Sequence, residues 1–317
     1  REWRQSVPVL LERLLPREAR DLEPLHDVGV FVDAASLYHP ARDQLNKEQE
    51  SQYQAGMEVV HAVYGHRHTT VMRCTGVPTR VPRKYRLRGW TGFEWCLSEN
   101  KVAPDDKLYT FDDSFEPELE STLKASFFRK RKGPVSVPCP AERFEELLRQ
   151  AEQEVKSLSA PHDKLFMESK DRPFILDKYR EAWEHQRHSR ELHFADAGWG
   201  DDEVEQLASL LPSLPNLEEL HLVGNRVGDA GARALFQGLT DTLVKNIDLS
   251  NNEIGGASSK AMAEAIGVAT ELVSLCVIDN PICKDEAGLW ELRAAWRAAG
   301  KDPDALLIDG ASLLRKE

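Results

Sequence analysis

The chain has 317 residues, of which 41% are apolar and 30% are charged, a composition typical of a soluble globular protein of about two domains. No apolar run approaches the roughly 20 residues of a membrane-spanning helix, and no signal-peptide pattern follows the first residues, which excludes a membrane partner. The net charge of −12 comes from residues 191–317, where 22 Asp and Glu stand against 10 Lys and Arg, and this balance argues against a nucleic-acid partner.

The cysteine pattern bears on compartment and on metal binding. The chain has five cysteines and no Cys-x-x-Cys pair, so neither a structural zinc site nor a thioredoxin-like motif is indicated. This usage predicts reduced, mostly buried thiols in a cytoplasmic protein without a metal site.

The N-terminal part of the chain predicts alternating helices and strands. Apolar spacing predicts a helix over residues 1–20, and the run Val28–Val32 is typical of a strand buried in a parallel sheet. Asp33 follows that strand at the edge where open α/β sheets bind their ligands. The next predicted elements are a helix over Lys47–Tyr64, a strand over Thr69–Cys74, a helix over Trp90–Glu99 and a strand over Leu108–Phe111.

Two motifs in this part resemble heterokaryon-incompatibility (HET) and TIR domains over about residues 20–115. They are Val30-Phe-Val-Asp33 and Arg88-Gly-Trp90-x-x-x-Glu94. The resemblance implies a parallel α/β domain, although no strand is predicted before the helix over residues 1–20, where a complete TIR-like sheet has its first strand. It also implies that Glu94 is the candidate catalytic carboxylate of NAD cleavage, with Trp90 as its packing partner and Asp33 as a candidate ligand contact.

The chemistry of that hypothesis is simple. Cleavage of the nicotinamide–ribose bond passes through an oxocarbenium-like state, which a nearby carboxylate stabilises. The alternative is that Glu94 only pairs with Arg86 or Arg88, and that Asp33 caps the turn that follows it.

Residues Gly133–Pro140 contain three prolines and predict a domain boundary. Two helices are predicted after it, over Ala141–Leu158 and Phe174–Gln186, and the second is expected to cover the open end of a repeat array. The predicted domains are therefore a TIR/HET-like domain over 1–132, a helical connector and cap over 133–188, and a repeat domain over 189–317.

The C-terminal part contains an internal repeat with offsets of 27 or 28 residues. Each unit predicts a short strand, a turn at an asparagine and a helix with apolar residues four apart, and such units must stack to bury their apolar faces. The asparagine amide is expected to bind backbone groups that would otherwise be buried without partners. The copies begin at Leu217, Val244 and Leu272 and carry Asn225, Asn252 and Asn280, and a weaker first copy begins near Leu192, with Ala197 in place of the asparagine.

This pattern resembles the leucine-rich repeat of the ribonuclease-inhibitor-like group over about residues 190–310. The resemblance implies a solenoid of four to five units with a curved parallel sheet. Its concave face would be the protein-binding surface, formed by the residues between the inward-facing ones. These are His193, Ala195, Glu219, His221, Val223, Asn246, Asp248, Ser250, Ser274, Cys276 and Ile278.

The sequence therefore favours an interaction or sensing protein in which a repeat surface is coupled to a TIR/HET-like signalling domain. The expected partner is a protein, with self-association through the N-terminal domain and no cofactor. The alternative is an NAD nucleosidase that uses Glu94, in which NAD is a substrate.

Overall fold

The computed structural model describes residues 45–66, 69–76, 85–101, 108–111, 135–158, 164–166 and 168–309. Proximity of Cα atoms groups the chain into two compact units, one of residues 1–60 with 111–132 and one of residues 61–110 with 133–317. Most of the described residues belong to the second unit. The predicted helix over residues 1–20 and the predicted strand Val28–Val32 lie outside the described residues.

Helices and strands largely occur where the sequence patterns predict them, with ends that differ by a few residues. None of the described helices is both long and apolar enough to cross a bilayer. The helices are α1 (Lys47–Gly65), α2 (Gly89–Glu99), α3 (Ala141–Ser157), α4 (Asp171–Arg187), α5 (Asp201–Leu210), α6 (Asp229–Gln237), α7 (Ser259–Val268) and α8 (Glu286–Ala298). The strands are β1 (Val71–Cys74), β2 (Leu108–Phe111), β3 (Glu191–His193), β4 (Glu219–His221), β5 (Asn246–Asp248), β6 (Ser274–Cys276) and β7 (Leu306–Leu307).

Helices α2, α3 and α4 pack together around a buried aromatic cluster. The rings of Phe144 and Tyr179 stack with centroids 3.8 Å apart, and Phe93 lies 6.2 Å and 6.4 Å from them. Helix α4 was predicted to cover the first repeat, but its most extensive packing is with α2 and α3. Since α2 precedes residue 132 and α3 follows it, these contacts cross the predicted domain boundary. The three-domain division remains a proposal.

Strands β3 to β7 form one parallel sheet in chain order. Leu192, Leu220, Ile247, Leu275 and Leu306 lie in register, one from each strand, and all are buried. Burial of one large apolar side chain from every repeat contributes roughly 2 kcal/mol per residue, which explains why the units stack rather than fold separately. The predicted parallel repeat sheet is therefore present.

The chain leaves each of the strands β3 to β6 through a residue with left-handed backbone. Asp196, Gly224, Asn251 and Asp279 have φ between 51° and 70° and occupy equivalent positions in successive repeats. Glycine, asparagine and aspartate tolerate this conformation better than other residues do. The sequence of each repeat therefore supplies a residue suited to the left-handed turn, in addition to the residues that form its strand and its helix.

Aspartates at the start of α5 and α6 bind the following repeat. Asp201 Oδ1 accepts hydrogen bonds from the N–H groups of Gly228 (2.7 Å) and Gly231 (2.9 Å), at the start of α6. Asp229 Oδ1 does the same for Gly255 and Ser258, both at 3.0 Å. A carboxylate at a helix N-terminus satisfies N–H groups that have no partner within the helix. Neighbouring helices are therefore joined by polar contacts as well as by apolar packing.

Two glycine-to-alanine changes are expected to shift stability in opposite directions. A Cβ on Gly231 would lie 2.7 Å from the Asp201 carboxylate oxygen, so Gly231→Ala should lower the free energy of unfolding by about 1–3 kcal/mol. A Cβ on Gly267 in α7 meets no atom within 4 Å, so Gly267→Ala should raise it by about 0.5–1 kcal/mol through helix propensity. Urea unfolding of the two variants measures both effects, and a gain for Gly231→Ala would contradict the contact.

Candidate functional site

The sheet register aligns the side chains of the concave face into two rows. Glu191, Glu219, Asn246 and Ser274 form the first row, one from each of β3 to β6. His193, His221, Asp248 and Cys276 form the second row in the same order. Both rows change from charged residues and histidine at the first repeats to small residues at the later ones. The polar character of this face is therefore concentrated on β3, β4 and β5.

The two histidines of the second row stack on each other. Their ring centroids are 4.3 Å apart and the ring planes differ by 4°. His193 Nε2 lies 3.2 Å from Glu191 Oε2, and His221 Nε2 lies 3.5 Å from Glu219 Oε2. Because these pairs are partly exposed to solvent, they contribute little to stability. They do orient two imidazoles and two carboxylates on this face.

The third strand of the polar region presents Asn246 and Asp248. Asp248 Oδ1 accepts hydrogen bonds from the backbone N–H of Ser250 (2.9 Å) and from its hydroxyl (2.7 Å). Both Asn246 and Asp248 are partly exposed, as are Val223 and Ser250. These side chains extend the polar surface by one repeat beyond the histidine stack.

Two residues predicted for the concave face offer little surface to a partner. Cys276 and Ile278 are each 8% exposed. Cys276 lies in register between Asp248 and Leu307, and burial raises the pKa of its thiol to about 11. We therefore restrict the candidate site to the partly exposed residues, with Ser274 at its margin, where the Ser274 hydroxyl donates to the Ala305 carbonyl at 3.4 Å.

The repeat asparagines lie beneath this face and bind backbone groups. The Asn225 side-chain oxygen accepts from the Trp199 N–H at 3.0 Å, and its amide donates to the carbonyls of Phe194 (2.7 Å) and Leu222 (2.9 Å). Asn252 and Asn280 make the equivalent bonds one and two repeats later. Since each amide joins two repeats, the asparagines hold the strands at the spacing on which the surface rows depend.

Trp199 lies where the first repeat lacks its asparagine. Its indole stacks on Phe194 with centroids 4.4 Å apart, and its Nε1 donates to the Val135 carbonyl at 2.7 Å. The indole therefore ties the residues before α3 to the start of the repeat array.

Of the three candidate site residues predicted in the N-terminal part, the structure describes two, Glu94 and Trp90. Glu94 and Trp90 are on α2, one turn apart and both partly buried. Trp90 is 6.0 Å from the Phe174 ring and donates through Nε1 to Asp171 at 3.2 Å, so it packs against α4. Asp33 lies outside the described residues. The catalytic role of Glu94 remains a prediction.

A different carboxylate of α2 is held in a buried ion pair. Glu99 Oε1 lies 3.2 Å from Arg73 Nη1, and the Arg73 guanidinium carbon lies 3.5 Å from the centre of the Trp95 ring. Both charged side chains are almost completely buried. This pair could not be predicted from the sequence, because Arg73 and Glu99 are 26 residues apart and belong to no periodic pattern.

Comparison with known proteins supports the repeat assignment. Residues 213–236 match the family model described as Leucine Rich repeat. The ribonuclease inhibitor of Sus scrofa is 39% identical over 84 residues, which are 26% of this chain and 18% of that relative. This chain therefore spans less than a fifth of the relative's length. The predicted resemblance to ribonuclease-inhibitor-like leucine-rich repeats is confirmed, and the C-terminal part of the chain carries repeats of this kind.

Proposed function

We propose that this protein binds another protein through the concave face of its repeat sheet. The observation that carries the proposal is the alignment of ionisable and hydrogen-bonding side chains from three successive parallel strands, above a fixed ladder of asparagines. Side chains that are already ordered lose less entropy when a partner binds. A repeat sheet with such a surface is suited to recognition rather than to covalent chemistry.

The charge of the face indicates the chemistry of the partner. Glu191, Glu219 and Asp248 supply carboxylates on adjacent strands, within a part of the chain that carries a net charge of −12. A partner surface with Arg and Lys would be attracted to it, and binding should weaken with added salt. Since the face presents no Trp, Tyr or Phe, we expect the aromatic or arginine anchors of the interface to come from the partner.

The finer hypotheses from the sequence stay predictions. They are the TIR/HET-like signalling role, self-association through the N-terminal domain, a cytoplasmic location and NAD cleavage at Glu94. The pig relative is named as an inhibitor of ribonuclease, and purified ribonuclease is therefore a reasonable first probe for binding.

Charge reversal on the concave face tests the proposal. Partners are recovered with the immobilised full chain, and the affinity of each for the wild type is compared with that for Glu191→Lys/Glu219→Lys. We expect a loss of at least about tenfold, because like charges would then face each other across the interface. The matched control is Glu205→Lys/Glu264→Lys, which changes the net charge equally at exposed positions on α5 and α7. Equal losses in both variants would contradict recognition by the concave face.

A further inference from the structure

A cleft of about 650 Å³ lies between the repeat array and the helices before it. Its walls come from α2, residues 136–140, α3 and the end of α5. The lining includes two cysteines, Cys96 and Cys139, and one cation, Arg143. Both cysteines are partly accessible to solvent. This cleft is separate from the concave face and takes no part in the proposed protein recognition.

A single asparagine holds the backbones of both cysteines. The N–H of Asn100 donates to the Cys96 carbonyl at 3.1 Å. Its side-chain oxygen accepts from the Cys139 N–H at 2.7 Å, and its amide donates to the Cys139 carbonyl at 3.2 Å. The Tyr179 hydroxyl also donates to the Cys139 carbonyl, at 2.9 Å. Two cysteines that are 43 positions apart in the sequence therefore line the same cleft.

The surroundings of Cys139 favour its thiolate. A hydrogen bond from Cys96 is the largest cause that lowers the pKa of Cys139, and it outweighs the opposing effect of burial. The positive charge of Arg143 lowers the pKa further, whereas Glu99 opposes it. Cys139 also comes directly before Pro140, the N-cap of the 17-residue helix α3, whose N-terminus favours a negative charge.

We propose that Cys139 and Cys96 form an oxidant-reactive dithiol site whose substrates are hydroperoxides. The Cys139 thiolate attacks one peroxide oxygen, the O–O bond breaks, and an alcohol or water leaves once it has taken up a proton. Cys139 is then a sulfenic acid. The Cys96 thiol attacks the Cys139 sulfur, the S–S bond forms and water leaves. In sum, two thiols and one hydroperoxide give one disulfide, one alcohol or water and one water.

The chain contains its own reference thiol for a test of this proposal. The pKa of Cys139 lies below the usual cysteine value, whereas burial raises the pKa of Cys276 to about 11, so at pH 7 the thiolate fraction of Cys139 exceeds that of Cys276. Nucleophilicity falls as the pKa falls, which reduces the expected advantage in rate to at least about tenfold. Iodoacetamide labelling of the folded full chain at pH 7, followed by peptide mass spectrometry, measures this ratio.

Oxidation by hydrogen peroxide then tests the pairing of the two thiols. In the wild type we expect a disulfide-linked peptide pair that contains Cys96 and Cys139. Cys96→Ser should leave a sulfenic acid on Cys139 that a cyclic 1,3-diketone traps, whereas Cys139→Ser should give neither product. Cys283→Ser is the control and should behave like the wild type.

The wild type alone can overturn the proposal, so that a variant that fails to fold does not obscure the result. Labelling of Cys139 at the rate of Cys276, or oxidation that yields no link between Cys96 and Cys139, would show that the cleft holds ordinary thiols.

Discussion

Replacing Trp199 with alanine is expected to lower the free energy of unfolding by about 4 kcal/mol, the cost typical of removing a buried aromatic side chain. Trp199 is 1% exposed, and its indole fills the space beside Phe194. Removal of the ring also leaves the Val135 carbonyl without the hydrogen bond from Nε1. The loss combines a cavity with a partly buried acceptor that has lost its donor, which is why we expect it to be large. Urea unfolding monitored by far-ultraviolet circular dichroism measures this change in the free energy of unfolding.

Two further variants separate the contributions at this position. Trp199→Phe keeps an aromatic ring but loses the N–H donor, and it should cost about 1–3 kcal/mol for the unpaired carbonyl and the smaller ring. Trp290 is 71% exposed on α8, so Trp290→Ala should change stability by less than about 0.5 kcal/mol. If Trp199→Ala proves no more costly than Trp290→Ala, the link between the connector and the first repeat is not structural.

Replacing Asn252 with alanine is expected to lower the free energy of unfolding by about 3 kcal/mol. Its side-chain oxygen accepts from the Val227 N–H at 3.0 Å, and its amide donates to the carbonyls of Leu222 (2.9 Å) and Leu249 (3.0 Å). Asn252 is 6% exposed, so water cannot easily replace these bonds. Each buried group left without a partner costs about 1–3 kcal/mol, although relaxation of the chain recovers part of the sum.

Asn246 provides the matched control for this prediction. It lies on the concave face and is partly exposed, so Asn246→Ala should change the free energy of unfolding by less than about 0.5 kcal/mol. Both variants are measured by urea unfolding under the same conditions. Equal destabilisation of the two would mean that the hydrogen bonds of the repeat asparagines Asn225, Asn252 and Asn280 do not hold the repeats together.

The repeats could be predicted because every unit carries the same residue pattern, which is needed to bury its apolar face against the next unit. Three copies share the same pattern of inward-facing apolar residues, one asparagine and a helix with apolar residues four apart. A unit that departs from the pattern can therefore still be recognised by comparison with the other copies. The last helix and strand of the array show how the repeat pattern extends beyond the three clear copies. The same pattern predicts a helix over Glu286–Ala299, which occurs as Glu286–Ala298, and a strand within residues 304–309, which occurs as Leu306–Leu307.

Contacts between distant, non-repeating segments could not be predicted in the same way. Asn100 binds Cys139 and Tyr179, which are 39 and 79 residues further along the chain, and nothing in the local sequence of any of them indicates the pairing. The ion pair between Arg73 and Glu99 was missed for the same reason. The alternating pattern also assigned Cys276 and Ile278 to the concave face, but it carried no information on how deeply they are buried.

Labelling of carboxylates in a complex would test the central claim most directly. A partner recovered with the wild-type chain is bound to it, exposed carboxylates are coupled to an amine with a carbodiimide, and the labelled positions are read by peptide mass spectrometry. We predict that Glu191, Glu219 and Asp248 are protected in the complex, while Glu205 on α5 and Glu264 on α7 react as in the free chain. Protection of Glu205 and Glu264 with unchanged labelling of the sheet residues would contradict recognition through the concave face.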